Sequence, residues 1–349
     1  MAKNIVGLDI SSWGIRAVEV SDATKARPTV VRYRSIRLPE GAVVKGDVIE
    51  PSAVSTALRQ LWATGGFTSK DVVLGVGNHR VLARDLTVPK LSMERIRESL
   101  PFQVQELLPV PVEDALLDFY PISESVSETG PVVNGLLVAA VKEPVVVNVR
   151  AAELAGLNPV DVDLIPFALS RVLLRGAAGQ GTVAVIEIGD STSTVVVAKD
   201  GVPQFVRIIP AGGGDLTAAI ATELGLTTEQ SETAKRALGL TTAGVAVENR
   251  PIVEVIYKVA GELLNSLRNT LNYVSSIRPQ DPVRQIVLTG GGSRLLGFAQ
   301  ALGDSARLPV VIGNPLETIS ANKKFAADNE GGDTDSIVVA LGLALGSAA

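Results

Sequence analysis

Four stretches of this 349-residue chain combine residue types that suit a phosphorylated ligand. Asp9 is followed by Ser11 and Ser12 and, on the next apolar run, by Arg16. Glu187 is followed by Gly189, Asp190, Ser191 and Thr192. Gly212, Gly213 and Gly214 form a third turn, with Glu232 and Lys235 further on, and Gly290, Gly291 and Gly292 form a fourth. Hydroxyls and clustered backbone N–H groups bind phosphate oxygens. Glycine lets the backbone come close to a ligand. Each stretch alone also has an ordinary structural reading. Gly-Ser turns join many strand pairs, and Glu and Lys three apart on a helix commonly form a solvated salt bridge. The weight falls on a repetition: NIVGLDISSWGIRAVEV at 4–20 and VAVIEIGDSTSTVVVA at 183–198 share a strand, an acid, a polar turn and a second strand. Two such hairpins, one per half, imply two related domains closing on one ligand. The turn at 290–292 lacks GxGxxG spacing and no GxxxxGK[ST] stretch is present, so neither a dinucleotide fold nor a P-loop is indicated.

Periodicity supplies the elements that must hold these residues. Residues 4–10, 14–20 and 28–38 read as an antiparallel meander. Helical spacing over 50–67 predicts a helix with Ser52 as N-cap and Gly65-Gly66 as the stop. Strands follow at DVVLGVG and VLARDLTVP, then a helix capped by Ser92 that Pro101 kinks or breaks. DALLDFYPI and VVNGLLVAAV read as strands around a polar hairpin loop at 121–131. A helix at 143–156, strand PVDVDL and helix PFALSRVLL lead to RGAAGQG (175–181), the best domain boundary. After the second hairpin come strand QFVRIIP and helices at 215–224, 228–238 and 251–275. Strand QIVLTGGG runs into helix SRLLGFAQAL, residues 320–335 read as loop, and the last helix starts near Asp335.

Composition narrows the chemistry. With 46% hydrophobic but only 4% aromatic residues, the core must be built mainly from Val, Leu, Ala and Ile, and short Val-rich runs favour buried strands. There is no cysteine, so thiolate catalysis and disulfides are excluded. His79 is the only histidine and sits at a strand end, a poor setting for a Ser-His-Asp triad. A net charge of −5 without a basic run gives no support for nucleic-acid binding. No signal peptide pattern and no run of 18 apolar residues are visible, so the expectation is a cytosolic chain.

Two phosphate hairpins, a GGD-x-T turn, an S-E-x-x-K helix and a TGGGS turn, in that order, resemble the actin-like ATPase superfamily. Within it the chain resembles the FtsA/PilM group, and most closely the PilM family of type IV pilus assembly. The features that carry this are GLDISSWGIRAVEV with its basic Arg16, the stretch LTVPKLSMERIRESLPFQVQELLPVPVEDALLDF, and the ending VVALGLALGS. The resemblance covers essentially the whole length. It implies an α/β fold, an actin-like (ribonuclease H-like) two-domain duplication with an inserted FtsA/PilM-type α+β subdomain. The first domain would take 1–38 and 159–178, the insert 39–158, and the second domain 179–349, with a small helical part around 225–275.

The resemblance also implies ATP and Mg2+. Asp9 would order metal-bound water, and Ser11, Ser12 and Arg16 would contact the β- and γ-phosphates. Gly189, Asp190, Ser191 and Thr192 match the second phosphate loop. Gly213, Gly214, Glu232 and Lys235 match positions around ribose and adenine, and Gly290, Gly291 and Gly292 the loop under the nucleotide. Two positions depart from the family pattern: Ser11 stands where relatives carry Gly, and Glu187 where they carry Asp. Glu187, the catalytic candidate, is one methylene longer. Misplacement near 1 Å can cost about 100-fold in rate, so the expectation is ATP binding with weak or absent hydrolysis. The implied function is a nucleotide-responsive scaffold, peripheral at the inner face of the plasma membrane. It would dock the cytoplasmic N-terminal tail of PilN within the pilus assembly inner-membrane complex, and self-association fits the same pattern. Phe102, Leu107 and Leu108 are candidates for the docking groove, although burial in the core is the usual fate of such residues. Two alternatives remain open. An FtsA-like or MreB-like filament protein is one, and FtsA would be expected to add a basic amphipathic C-terminal helix. A small-molecule kinase is the other, but no sugar-site motif stands out.

Overall fold

The computed structural model of the chain describes residues 4–128, 130–241, 244–328 and 334–346. It opens with the antiparallel meander that the alternating apolar runs require: β1 (Ile5–Ser11), β2 (Gly14–Ser21) and β3 (Thr29–Arg37). A small hairpin, β4 (Val43–Val44) and β5 (Asp47–Val48), leads to helix α1 (Pro51–Gly65) and strand β6 (Asp71–Val76). Next come β7 (Val81–Pro89), α2 (Met93–Gln103), β8 (Ala115–Ser127) and β9 (Gly130–Val141). Helix α3 (Lys142–Leu154), β10 (Asn158–Leu164) and α4 (Ile165–Leu173) complete the first half. The second half starts with another meander, β11 (Thr182–Ile188), β12 (Ser193–Lys199) and β13 (Val202–Ile209). Helices α5 (Gly213–Leu224), α6 (Thr228–Leu238) and α7 (Arg250–Ile277) follow. Then come β14 (Gln285–Thr289), α8 (Phe298–Ala306) and β15 (Val310–Ile312). Strand β16 (Ser320–Ala321) and helices α9 (Lys323–Asp328) and α10 (Val338–Gly346) close the described chain.

Strand order shows the duplication directly. One sheet runs β10-β6-β1-β2-β3-β16 and the other β15-β14-β11-β12-β13. In each, the meander is antiparallel, and its first strand also pairs parallel with a fourth strand. That fourth strand pairs parallel with a fifth. The two lobes are thus one topology used twice. Helices α5–α7 occupy the crossover that α1 fills in the first lobe.

Between the lobes lies a shared apolar layer. Val18 and Val20 of β2, Leu169 and Val172 of α4, Val185 of β11, Val196 of β12 and Leu341 and Ala344 of α10 pack together there, all buried. Burying a side chain of this kind contributes about 1.5–3 kcal/mol, so this layer fixes the two hairpins relative to each other. Separate clusters sit under α1 and α3 in the first lobe and under α7 and α8 in the second.

Several boundaries differ from those read in the sequence. The unit with its own sheet, ordered β7-β9-β8, lies within residues 81–141 and is narrower than the 39–158 expected. Strand β6 pairs with β1 (Val6 opposite Val72) and α1 packs on β3, so both belong to the first lobe. Helix α10 packs on β1, β2 and α4, and so joins the first lobe rather than the second. The segment 121–131 is mostly strand. Its polar strand residues lie exposed on β8, which pairs with β9, and Asn134 Nδ2 donates to Ser125 Oγ. Helix α1 starts one residue before Ser52 because Pro51 takes the first helical position. Helix α8 starts only at Phe298, because Gly297 adopts a left-handed conformation (φ 79°). Helix α2 is capped by Ser92 as expected, and Pro101 sits in its last turn.

Candidate functional site

The two hairpin tips meet across a cleft. The first hairpin reverses through Ser12 and Trp13, the second through residues 189–192. The hydroxyls of Ser12 and Ser191 lie 3.4 Å apart. The cleft beside them encloses about 520 Å3, within the range of about 300–1,000 Å3 usual for small-molecule sites.

Asp9 and Glu187 occupy equivalent places, each near the end of the first strand of its meander. Asp9 is buried and stands opposite Arg16 in the β1–β2 register. Arg16 Nη1 donates to Asp9 Oδ2 at 3.2 Å and to Ser11 Oγ at 3.4 Å. Burial raises the Asp9 pKa, and the Arg16 guanidinium partly offsets that. Among the described residues Glu187 has no cationic partner of its own and shares the field of Arg16. Burial, reinforced by the charge of Asp9 and opposed by Arg16, pushes its pKa up to about 8. Burial thus favours the neutral form of Glu187 in the protein alone.

The second hairpin tip is tied to the start of α5. The Gly189 N–H donates to Thr192 O (2.9 Å), the Gly213 N–H to Gly189 O (2.8 Å) and the Gly214 N–H to Asp190 O (2.7 Å). Helix α6, capped by Thr227, brings in Glu232 and Lys235. The buried Lys235 Nζ donates to Gly213 O (2.9 Å) and Thr217 Oγ1 (2.8 Å), and pairs with Glu232 (2.6 Å). Thr217 Oγ1 in turn donates to Glu232 Oε2 (2.6 Å), and Arg236 Nε to Glu232 Oε1 (2.7 Å). Burial works against ionisation of Glu232, yet the hydrogen bonds from Lys235, Thr217 and Arg236 outweigh it and pull its pKa down to about 2. This pair is therefore no loose surface bridge: it pins α6 to the glycine turn before α5.

The fourth turn leaves β14 at Thr289. At Gly290 (φ 86°) a Cβ would lie 2.5 Å from Ile188 O, so only glycine fits where this turn presses on β11. At Gly291 a Cβ would meet nothing within 4 Å, and this residue lines the cleft. Thr289 Oγ1, also in the lining, is fully buried and has no hydrogen-bond partner among the described residues. A buried hydroxyl without a partner costs free energy, and a polar ligand in the cleft could relieve that cost.

Of the ligand-site residues singled out in the sequence, all but Ser12, Gly212 and Gly214 line this cleft; Ser12 and Gly214 join its walls through Ser191 and Asp190. The sequence reading missed Trp13, Arg37, Thr289 and Arg294, which also line it. Arg37 was visible in principle: it is opposite Gly14 in the β2–β3 register, so it shares a face with Arg16. His79 is exposed and outside the cleft. Phe102 and Leu107 are exposed rather than core, Phe102 at 87%, while Leu108 packs partly on the core of the β7–β9 unit.

Residues 7–348 match the model of the type IV pilus assembly protein PilM family. The chain belongs to that family. A solved structure of a PilM–PilN type IV pilus biogenesis complex contains a chain 28% identical to this PilM-family protein. The likeness covers 99% of this chain and 98% of that one, with a TM-score of 0.83. The cell division protein FtsA of Bacillus subtilis (strain 168) is 22% identical over 258 residues, which is 67% of this chain and 58% of FtsA. The chain thus matches less than two thirds of that curated relative. MreB5 of Spiroplasma citri, solved bound to ADP, is 11% identical with a TM-score of 0.52, covering 90% of this chain and 92% of that one. These likenesses place the PilM-family chain in the actin-like fold. Among its described residues no helix is long and apolar enough to cross a membrane.

Proposed function

We propose that this PilM-family protein binds ATP with Mg2+ in the cleft between its lobes and acts as a nucleotide-responsive scaffold for PilN. One observation carries the nucleotide reading: two topologically equivalent hairpins, from separate lobes, present hydroxyls, turn amides and buried acids to one cavity. The turn amides at 190–192, with Ser11, Ser191 and Thr192, suit phosphate oxygens. The network around Lys235 fixes the turn that would face ribose and base. Gly291 offers bare backbone on which a nucleoside can lie. Asp9, paired with Arg16, suits a magnesium ion held through water, which would neutralise phosphate charge. Arg16 balances Asp9 and reaches the same phosphates. The buried Thr289 hydroxyl and the acids that burial makes hard to ionise fit a site completed by a polar, cation-bearing ligand.

Hydrolysis is a different matter. A general base must hold no proton at working pH, and burial works against that by pushing the Glu187 pKa up to about 8 in the protein alone. Its extra methylene also shifts the carboxyl relative to an aspartate. Both features favour slow or absent turnover by this chain alone, with the nucleotide serving to set the relation of the lobes.

Family membership and the likeness to the solved PilM–PilN complex support docking of the cytoplasmic N-terminal tail of a PilN partner, which would hold the protein at the inner face of the membrane. The test is fluorescence anisotropy of a labelled PilN tail peptide, with and without ATP and Mg2+. Binding that changes several-fold with nucleotide is expected, and is lost from the nucleotide response in Asp9→Ala. Peptide binding indifferent to nucleotide would remove the scaffold reading. Pelleting with ATP well above background would favour the filament alternative instead.

A further inference from the structure

Trp13 sits at the tip of the first hairpin with two guanidinium groups against its ring: Arg16 at 4.4 Å and Arg37 at 4.1 Å from the centroid. The two cations are not equivalent. Arg16 spends its charge on Asp9. Arg37 has no ion-pair or hydrogen-bond partner among the described residues, is exposed, and lines the cleft. Strand register explains why it is there. Asp9 and Ser11 on β1 face Arg16 and Gly14 on β2, which face Ser35 and Arg37 on β3. Residues paired across strands project from one face, so Arg37 extends the row that starts at Asp9. Stacking on Trp13 holds its long side chain in one arrangement, so less freedom is lost when it meets a ligand.

The position in the cleft matters as much as the charge. On the ATP-binding reading, the nucleoside end lies at Gly213 and the α6 network, which belong to the second lobe. A phosphate chain leaving that end passes the tip at 189–192 and reaches the first lobe last. The groups waiting there are Ser11, Arg16 and Arg37. With Asp9 already neutralising Arg16, Arg37 supplies the uncompensated positive charge of that wall. We propose that Arg37, held by Trp13, contacts the terminal phosphate of the bound nucleotide and makes the cleft distinguish a triphosphate from a diphosphate. This deepens the ATP-binding reading and rests on it.

The experiment is a titration of the full chain with ATP and with ADP, each with Mg2+, followed by calorimetry and by Trp13 fluorescence. Trp62, the other tryptophan, packs on Phe67 in the first lobe, so a Trp62→Phe background leaves Trp13 as the sole reporter. ATP should change Trp13 emission more than ADP does. Arg37→Ala should weaken ATP about tenfold, the typical worth of one charge-assisted contact, while ADP stays within about twofold. Arg37→Lys should recover part of the loss, since it keeps the charge but not the planar stacking. Arg37 is an exposed residue, so the variant is expected to melt with the parent. Equal effects on ATP and ADP, or no effect on either, would overturn the role of Arg37 while leaving the cleft intact as a nucleotide site. Failure of the parent to bind either nucleotide would instead remove the underlying reading.

Discussion

Asp9 and Glu187 share one cleft, and burial makes neither easy to ionise. The consequence for Glu187 can be given a sign. Its ordinary value is 4.5, and in the fold it rises to about 8. Between those two pH values the folded chain binds more protons at this site than the unfolded chain, so stability falls as pH rises. Glu187→Gln removes that dependence. In thermal melts of the ligand-free protein, the variant should match the parent near pH 5 and melt a few degrees higher at pH 8. A constant difference across that range would show that Glu187 is not protonated in the fold. Glu232 behaves in the opposite sense. Its pKa is lowered to about 2, so its contribution is present above about pH 4.5 and is lost as pH falls towards 2. At this scale the sequence was informative about which residues cluster. It could not show that Lys235 gives its charge to Glu232, Thr217 and Gly213, because those partners depend on how α5 and α6 pack.

Elements explain why some of the fold was legible and some was not. The two meanders could be read because β1–β3 and β11–β13 are short, separated by tight turns, and built from alternating or continuous apolar runs. Helices α1, α6 and α7 were legible from periodicity and end signals. Strand β6 also reads as a strand, yet nothing local says that it pairs with β1 rather than β7, and this misplaced the edge of the inserted unit. Helix α10 reads as an apolar helix whose partner is 171 residues away in sequence: Arg171 Nη1 donates to Gly342 O. At Gly342 a Cβ would lie 2.1 Å from Ala168 O, so α10 and α4 touch backbone to backbone. Gly342→Val should therefore force the helices apart and destabilise the protein by about 3 kcal/mol, the upper part of the usual overpacking range. Urea denaturation checks this, and a change below about 0.5 kcal/mol, the size of a neutral surface substitution, would contradict the close approach.

At the scale of the molecule, two copies of one sheet topology face each other, and the chain crosses between them after α4 and again before β16. A ligand that touches both hairpins favours whichever arrangement of the lobes brings both into contact, by its difference in affinity between arrangements. It also stabilises the folded state. ATP at a hundred times its dissociation constant should add about 2.7 kcal/mol to the unfolding free energy, and a partner that reads lobe position would sense the same event. The most direct test uses Gly291, which lines the cleft and where a Cβ would meet nothing within 4 Å. Isothermal titration with ATP and Mg2+ should give one site in the parent. In Gly291→Leu the affinity should be at least tenfold weaker, the loss of about 1.4 kcal/mol, with the melting temperature of the ligand-free protein unchanged. Equal affinity in both proteins would place any nucleotide elsewhere, and no binding to the parent would contradict the nucleotide site altogether.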